Sequence, residues 1–194
     1  MTPTRQVDAY QIRLNTYWAL FAGAHGHTYG CHAIWQMRMP DKPSKGDMRT
    51  YWFDALDLPG AGGLIHAKRL MLSRPYLTRI PNQGLIRSGV SMGPEHIRAT
   101  RDGTEGCNDA TYIMAYLPGP RRVLLATARI AGQRLRVWWY DPRTGQAQAA
   151  GEVANAGVME FAPPCIAEKE DWVVVVDDAQ CGYPAPGSQQ AAGF

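Results

Sequence analysis

No stretch of this chain is apolar for the length that a membrane-spanning helix requires, so no such span is expected. The opening residues MTPTRQVD lack the apolar core of a secretory signal, although an incomplete start would lose one too, and the cellular location stays unknown at this stage. Cysteine is scarce: 4 residues, at positions 31, 107, 165 and 181, are too few and too scattered for a disulfide scaffold, which leaves reduced thiols as the expectation. Glutamate is absent from residues 1–90, where 11 Lys+Arg stand against 5 Asp, while residues 91–194 carry 9 Lys+Arg against 12 Asp+Glu. The cations are spread singly among aromatics and glycines rather than clustered, a pattern that excludes an evident nucleic-acid face.

What is present is enough apolar material for a core. The 194 residues are 45% hydrophobic and include 6 Trp and 9 Tyr, the composition of one ordinary globular domain or two small ones. In residues 7–21, Tyr10, Leu14, Tyr17, Trp18 and Phe21 recur at spacings of three and four and predict a helix with one buried stripe, ending near Gly23. A second helix is predicted over residues 59–73, with Pro59 in its first turn, Leu64, Ala67 and Met71 on its apolar side, and Pro75 beyond its end. Between them lie the His-rich and aromatic run HGHTYGCHAIWQM and the polar run PDKPSKGDMR, read as a long loop.

After residue 74 the period changes. Residues 75–86, with two prolines and an Asn-Gln-Gly turn, read as a connector at a seam. Strands are predicted near 96–101, 110–117, 121–128, 134–141, 146–153 and 171–177, and DPRTG at 141–145 is a strong turn. Alternation in TYIMAYLP and RLRVWWY favours an antiparallel sandwich, with VVVV at 173–176 as its buried central strand. In that reading Trp138 and Tyr140 share one face and Trp139 takes the other, and the outward member either seals a seam or stacks on a sugar beside Arg136 and Asp141.

Short motifs add little. His25, His27, Cys31 and His32 match no established zinc spacing, so no metal is expected. The glycines of PGAGG lack the Lys-Ser/Thr ending of a phosphate loop and suit close packing or a turn. His66 reads as a surface or seam residue, no serine stands in a nucleophile elbow, and the cysteines have no paired histidine that suggests a nucleophile. No cofactor is expected.

Longer runs carry more. YWALFAGAHGHTYGCHAIWQM, PGAGGLIHAKRLMLSRP, IPNQGLI, WWYDPRTG, FAPP and DWVVVVDD, taken in that order, resemble bacterial glycoside hydrolases of the apiosidase-like group, which join a (β/α)8 barrel to a small β-sandwich known as the "putative collagen-binding domain of a collagenase". The resemblance implies an α+β chain: a C-terminal fragment of a (β/α)8 barrel, its last strand and two helices, over residues 1–87, then an antiparallel β-sandwich over 88–180 and a flexible tail over 181–194. Residues 7–22 would be the seventh barrel helix, 23–28 the eighth strand and 59–74 the eighth helix.

The resemblance also implies a hydrolase of O-glycosidic bonds in plant-type polysaccharide or oligosaccharide, with a catalytic carboxylate pair upstream of Met1 and a fragment that is inert alone. No acid among residues 1–90 stands in for the pair: Asp41 and Asp47 lie in a lysine-rich loop, and Asp54 and Asp57 lead into a helix. Because the C-terminal ends of barrel strands build the active site, His27, Tyr29, His32, Trp35 and Gln36 are the expected substrate-binding residues, Tyr29 and Trp35 by stacking and the others by hydrogen bonds. For His27 and Tyr29 the alternative is a satisfied position in a seam. The partner expected for the complete enzyme is a carbohydrate, with no nucleic acid and no membrane; the alternative is a non-catalytic sandwich that binds carbohydrate or protein.

Overall fold

The computed structural model describes residues 7–42, 50–88, 93–165 and 170–188. Asp47, most of the polar run 40–49 and the last six residues lie outside the described residues. Helix α1, Ala9–Phe21, starts where Asp8 and Gln11 close a capping box: the Asp8 carboxylate accepts from Gln11 N at 2.8 Å, and Gln11 Oε1 accepts from Asp8 N at 3.1 Å. It ends at Gly23, whose φ of +107° lets Gly23 N reach Leu20 O and Ala24 N reach Ala19 O, the two bonds of a Schellman end. The single turn α2, His32–Trp35, follows. After a 3-10 turn at Asp54–Asp57 come α3, Pro59–Gly62, and α4, Leu64–Leu72. The helix expected over 59–73 is therefore broken at Gly63. Gly60 of α3 is buried against α1, where a Cβ would meet Ile12 Cγ1 at 3.1 Å, so this glycine serves close helix packing.

Among the described residues eight strands follow: β1 Ile80–Pro81, β2 Arg98–Arg101, β3 Tyr112–Leu117, β4 Val123–Leu125, β5 Arg134–Asp141, β6 Gln146–Ala154, β7 Met159–Phe161 and β8 Trp172–Asp178. Six of them make one antiparallel sheet in the order β1-β2-β3-β8-β5-β6, and β4 pairs with β7 in a small second sheet. The four valines of β8 run between β3 and β5, which explains a continuous apolar run in the sequence. Pleating divides them. Val174 and Val176 join Ile113, Ala115, Val137 and Trp139 in a core closed by Val123, Leu125 and Phe161 of the small sheet. Val173 and Val175 join Tyr112, Met114, Tyr116 and Tyr140 on the opposite face. Trp139 thus faces away from Trp138 and Tyr140, as the alternation predicts.

That opposite face is covered by α1 and α4. Leu14, Tyr17, Leu20 and Phe21 from α1 and Ala67, Leu70 and Met71 from α4 complete its core. Tyr17 stacks on Tyr116 with ring centroids 4.9 Å apart. The tyrosine hydroxyls of the sheet find polar partners across the seam: Tyr112 donates to Pro75 O at 3.0 Å and Tyr140 to His66 O at 2.9 Å. Two bidentate ion pairs complete the junction. Arg13 of α1 holds Asp171 at 2.9 and 3.1 Å, and Arg74 holds Asp177 at 2.8 and 2.7 Å with both side chains fully or almost fully buried. Burial pushes the Asp177 carboxyl up against the opposing pull of Arg74. Burial, with Asp171 beside it, holds the Tyr116 hydroxyl well above the usual phenol range.

Several expectations need correction. Residues 23–28 carry no strand among the described residues; their backbone has no neighbouring strand to pair with, and side chains serve it instead, Arg79 donating to Ala24 O at 2.9 Å and Tyr76 to His25 O. The strand expected over 121–128 is only Val123–Leu125, because the chain turns into a 3-10 helix at Thr127–Arg129. Residues 75–86 are more than a connector, since Ile80–Pro81 pairs with β2 as the edge of the sheet, where a proline costs no inner hydrogen bond. Within the stretch expected as a flexible tail, Tyr183 bonds Thr111 at 2.7 Å and lies under the Arg74 guanidinium, and Pro186 is buried.

Candidate functional site

The Schellman turn after α1 throws the chain outward at residue 24, and the segment that leaves α4 pins it there. Arg79 donates to Leu20 O and Ala24 O and stacks over Tyr76, whose hydroxyl binds His25 O. A cavity of about 290 Å³ opens between this loop and the two helices, lined by Thr16 and Leu20 of α1, Ala67 and Met71 of α4, Tyr76, and His27. His27 is exposed at this cavity, which none of the other four expected site residues lines.

The others follow along the chain. Tyr29 is half-buried, and burial, then the Cys31 thiol beside it, pushes its hydroxyl up. His32 and Trp35 occupy the two ends of α2 and meet edge to face, ring centroids 5.2 Å apart at 84°. Trp35 is 62% exposed, the feature of a ring that has surface to offer rather than a core to fill. Gln36 is half-buried at the C-terminal end of the turn, its N–H donating to His32 O at 3.1 Å. The structure therefore brings His32, Trp35 and Gln36 onto one turn and sets His27 at the cavity.

A neighbouring cluster was not singled out from sequence. Trp52 N donates to Arg38 O at 3.1 Å, which lays residues 51–53 beside the end of α2. Arg38 sits over the Tyr51 ring at 5.0 Å, Tyr51 stacks on Phe53 at 5.6 Å, and Phe53 is 43% exposed. The signal was the aromatic run YWF itself, placed where no periodicity asks for a core. Among the described residues no three His, Cys, Asp or Glu stand together to hold a metal ion. Nor does any described helix have the length and apolarity to cross a membrane.

The acids of the described first half do not flank this surface as a hydrolytic pair. Asp8 caps α1, and Asp41 is exposed on its own. Asp54 and Asp57 stand three residues apart on one exposed 3-10 turn, a spacing that points both side chains the same way. Glycoside hydrolysis needs two carboxyls on opposite sides of a bond, about 5 Å apart or about 6.5 to 9.5 Å apart.

The chain belongs to one family by its second half and matches another with its first. The family described as "Putative collagen-binding domain of a collagenase" matches residues 80–177, half of the chain, and "Apiosidase-like, catalytic domain" matches residues 1–78. The chain thus carries a segment like an apiosidase-like glycoside-hydrolase domain, followed by a collagen-binding-like domain. Among solved structures it is similar to one described as a glycoside hydrolase, with 32% identity and a TM-score of 0.81 over 89% of this chain and 37% of that one. It is similar also to a glycoside hydrolase family 5 protein from Bacteroides vulgatus ATCC 8482, with 27% identity and a TM-score of 0.82 over 96% of this chain and 39% of that one. The chain spans less than two fifths of the length of either. No curated protein matches it.

Proposed function

We propose that residues 1–87 form the closing part of a (β/α)8 glycoside hydrolase barrel, that residues 88–180 are its appended sandwich, and that the loop around α2 is one wall of a site for plant-type polysaccharide or oligosaccharide. The observation that carries this reading is Trp35, 62% exposed with His32 against its edge, on a segment that matches a catalytic-domain family. In that wall Trp35 and Tyr29 stack on the apolar faces of sugar rings, while His27, His32 and Gln36 bond hydroxyls. The carboxylate pair belongs to elements other than these residues, and residues 1–194 alone bind sugar without cleaving it. A second reading, a binding module built on the sandwich alone, is favoured by the mostly exposed nine-residue edge strand β6.

Affinity electrophoresis through gels containing arabinan, xylan or pectin tests the wall. The chain is expected to be retarded by one of them, and Trp35→Ala to abolish the retardation without moving the melting temperature, because so exposed a ring contributes little packing. Retardation that survives Trp35→Ala transfers binding to the second reading. Incubation with aryl glycosides and with oligosaccharides of the same polymers should release no sugar above a heat-killed control. Turnover that disappears on replacing an acid within residues 1–90 overturns the assignment of the carboxylates.

A further inference from the structure

The cavity between α1 and α4 has a consistent chemistry from floor to mouth. On α4 the residues Leu64, Ala67, Lys68, Met71 and Leu72 recur at spacings of three and four, so one side of the helix turns toward it. Ala67 and Met71 are buried, as is Leu20 on the facing α1, whereas Leu72 is 55% exposed and Lys68 is exposed too. The floor is therefore apolar, and the ammonium stands at the mouth with the exposed imidazoles of His25 and His27. Acceptors are scarce there. Arg79 binds Leu20 O and Ala24 O, Tyr76 binds His25 O, and the Thr16 hydroxyl gives its proton to Ile12 O at 2.7 Å. No Asp or Glu lines the cavity among the described residues.

We propose that this cavity is a binding site for a small aryl carboxylate, with the ring on the floor between Met71 and Tyr76 and the carboxylate at the mouth, toward Lys68 and His27. The size fits. An apolar cavity of about 150 Å³ admits benzene, and this one, of about 290 Å³, has room for a ring with a short chain. The Met71 thioether and the Tyr76 ring favour an aromatic body over an alkyl one. An ammonium and an imidazole N–H both donate while a carboxylate only accepts, so head and mouth are complementary in hydrogen bonding as well as in charge. An amine in place of the acid meets a like charge. Burial of the ring supplies most of the affinity, because an ion pair at an exposed mouth is weak and screened by salt. The site goes beyond the sugar wall and does not rest on the glycoside hydrolase reading: it needs no sugar, no catalytic carboxylate pair and no part of α2.

The test is a titration of the full chain with phenylpropanoate, phenylpropanol and phenylpropylamine, which share a ring and a short chain and differ in charge. Binding is read on the methionine methyl signals, eight in number, with that of Met71 identified by its loss in Met71→Leu. Phenylpropanoate is expected to shift the Met71 methyl saturably and, at low salt, to bind about two- to fivefold tighter than the alcohol, with the amine weakest. Lys68→Gln should bring the acid down toward the alcohol and leave the alcohol where it was. Leu72→Trp fills the mouth and should weaken all three. Should Leu72→Trp fail to fold, the unaltered chain decides: nuclear Overhauser contacts must join the ligand ring to the Met71 methyl and the Tyr76 ring. A Met71 methyl that does not move up to the solubility of the acid, an amine that binds as tightly as the acid, or an acid that binds as tightly to Lys68→Gln overturns the site. Failure of the polysaccharide gels leaves all of these outcomes untouched.

Discussion

The two faces of the six-stranded sheet are packed by different chemistry. The face toward β4 and β7 is aliphatic and dry, with Ile113, Leu117, Leu135, Val174 and Val176 all at zero exposure and Trp139 against Trp172 as its large rings. The face toward the helices is built on Tyr112, Tyr116 and Tyr140, whose hydroxyls reach backbone or carboxylate, and it is rimmed by two bidentate arginine–aspartate pairs. Area alone holds the first, and any well-filled packing would satisfy it. Direction matters at the second, since each hydrogen bond is met at only one placement of α1 and α4. A helix of 13 residues such as α1 is marginal in water by itself, so its order comes from the sheet it covers.

The largest expected effect breaks this contrast at Asp177. Asp177→Ala leaves the Arg74 guanidinium buried with only the Ser73 carbonyl and the Tyr183 ring, and a buried pair broken on one side costs about 3 to 5 kcal/mol. Urea unfolding should show that loss, and Arg74→Met with Asp177→Leu should recover most of it, because the desolvation of both charges is then avoided. Hydrogen exchange adds the regional test. In Asp177→Ala the amides of α1 should lose protection while those of β3 and β5 keep theirs; equal loss in all three would mean that the two faces unfold as one unit.

A smaller effect sharpens the same contrast. Tyr112→Phe and Tyr140→Phe keep ring volume and remove only a hydroxyl bond to Pro75 O or His66 O, for a cost of about 1 kcal/mol each. The measurement is again the urea midpoint, read with the slope. No change on removing either hydroxyl would reduce the seam to ordinary apolar packing and erase the distinction drawn between the faces.

Much of the sheet is legible in the sequence because its signals are local. Alternation in RLRVWWY, the run VVVV and the turn DPRTG each sit inside one element or one hairpin, and β5, β6 and β8 fall where those signals put them. The stripe on α1 was equally plain, but a stripe says which side is buried and not what buries it. Its cover is a sheet more than ninety residues onward, and the Arg74–Asp177 pair closes over a separation of 103 residues. Neither residue carries a local mark of that partnership. β1 and β7, with two and three residues, are too short for any period to register. At the site, residue type was readable and exposure was not: nothing in HGHTYGCHAIWQM distinguishes Trp35 at 62% exposure from Ala33 two positions earlier, which is buried.

Acid sensitivity gives the smallest expected effect and the finest division between the faces. The cluster of the dry face is apolar, and the buried charged side chains in line with it, Arg101 and Asp178, stand at the ends of β2 and β8. The seam contains His66 on α4, whose Nδ1 is buried without a hydrogen-bond partner and lies against Gly145, held at φ +73° in the turn after β5. Burial, reinforced by Arg69 and opposed by Asp141, lowers the affinity of this imidazole for a proton. A histidine whose folded pKa is depressed binds its proton more readily in the unfolded chain, so its contribution is present above the ordinary value of about 6.5 and declines as pH falls below it toward the depressed folded pKa. His66→Gln removes that dependence without touching the backbone carbonyl that Tyr140 binds. The melting temperature of the unaltered chain should therefore fall faster between pH 7 and pH 5 than that of His66→Gln, with a divergence of about 2 °C or less. The slope decides, whatever constant offset the glutamine introduces. Identical slopes with and without His66 would remove this histidine from the acid response of the seam.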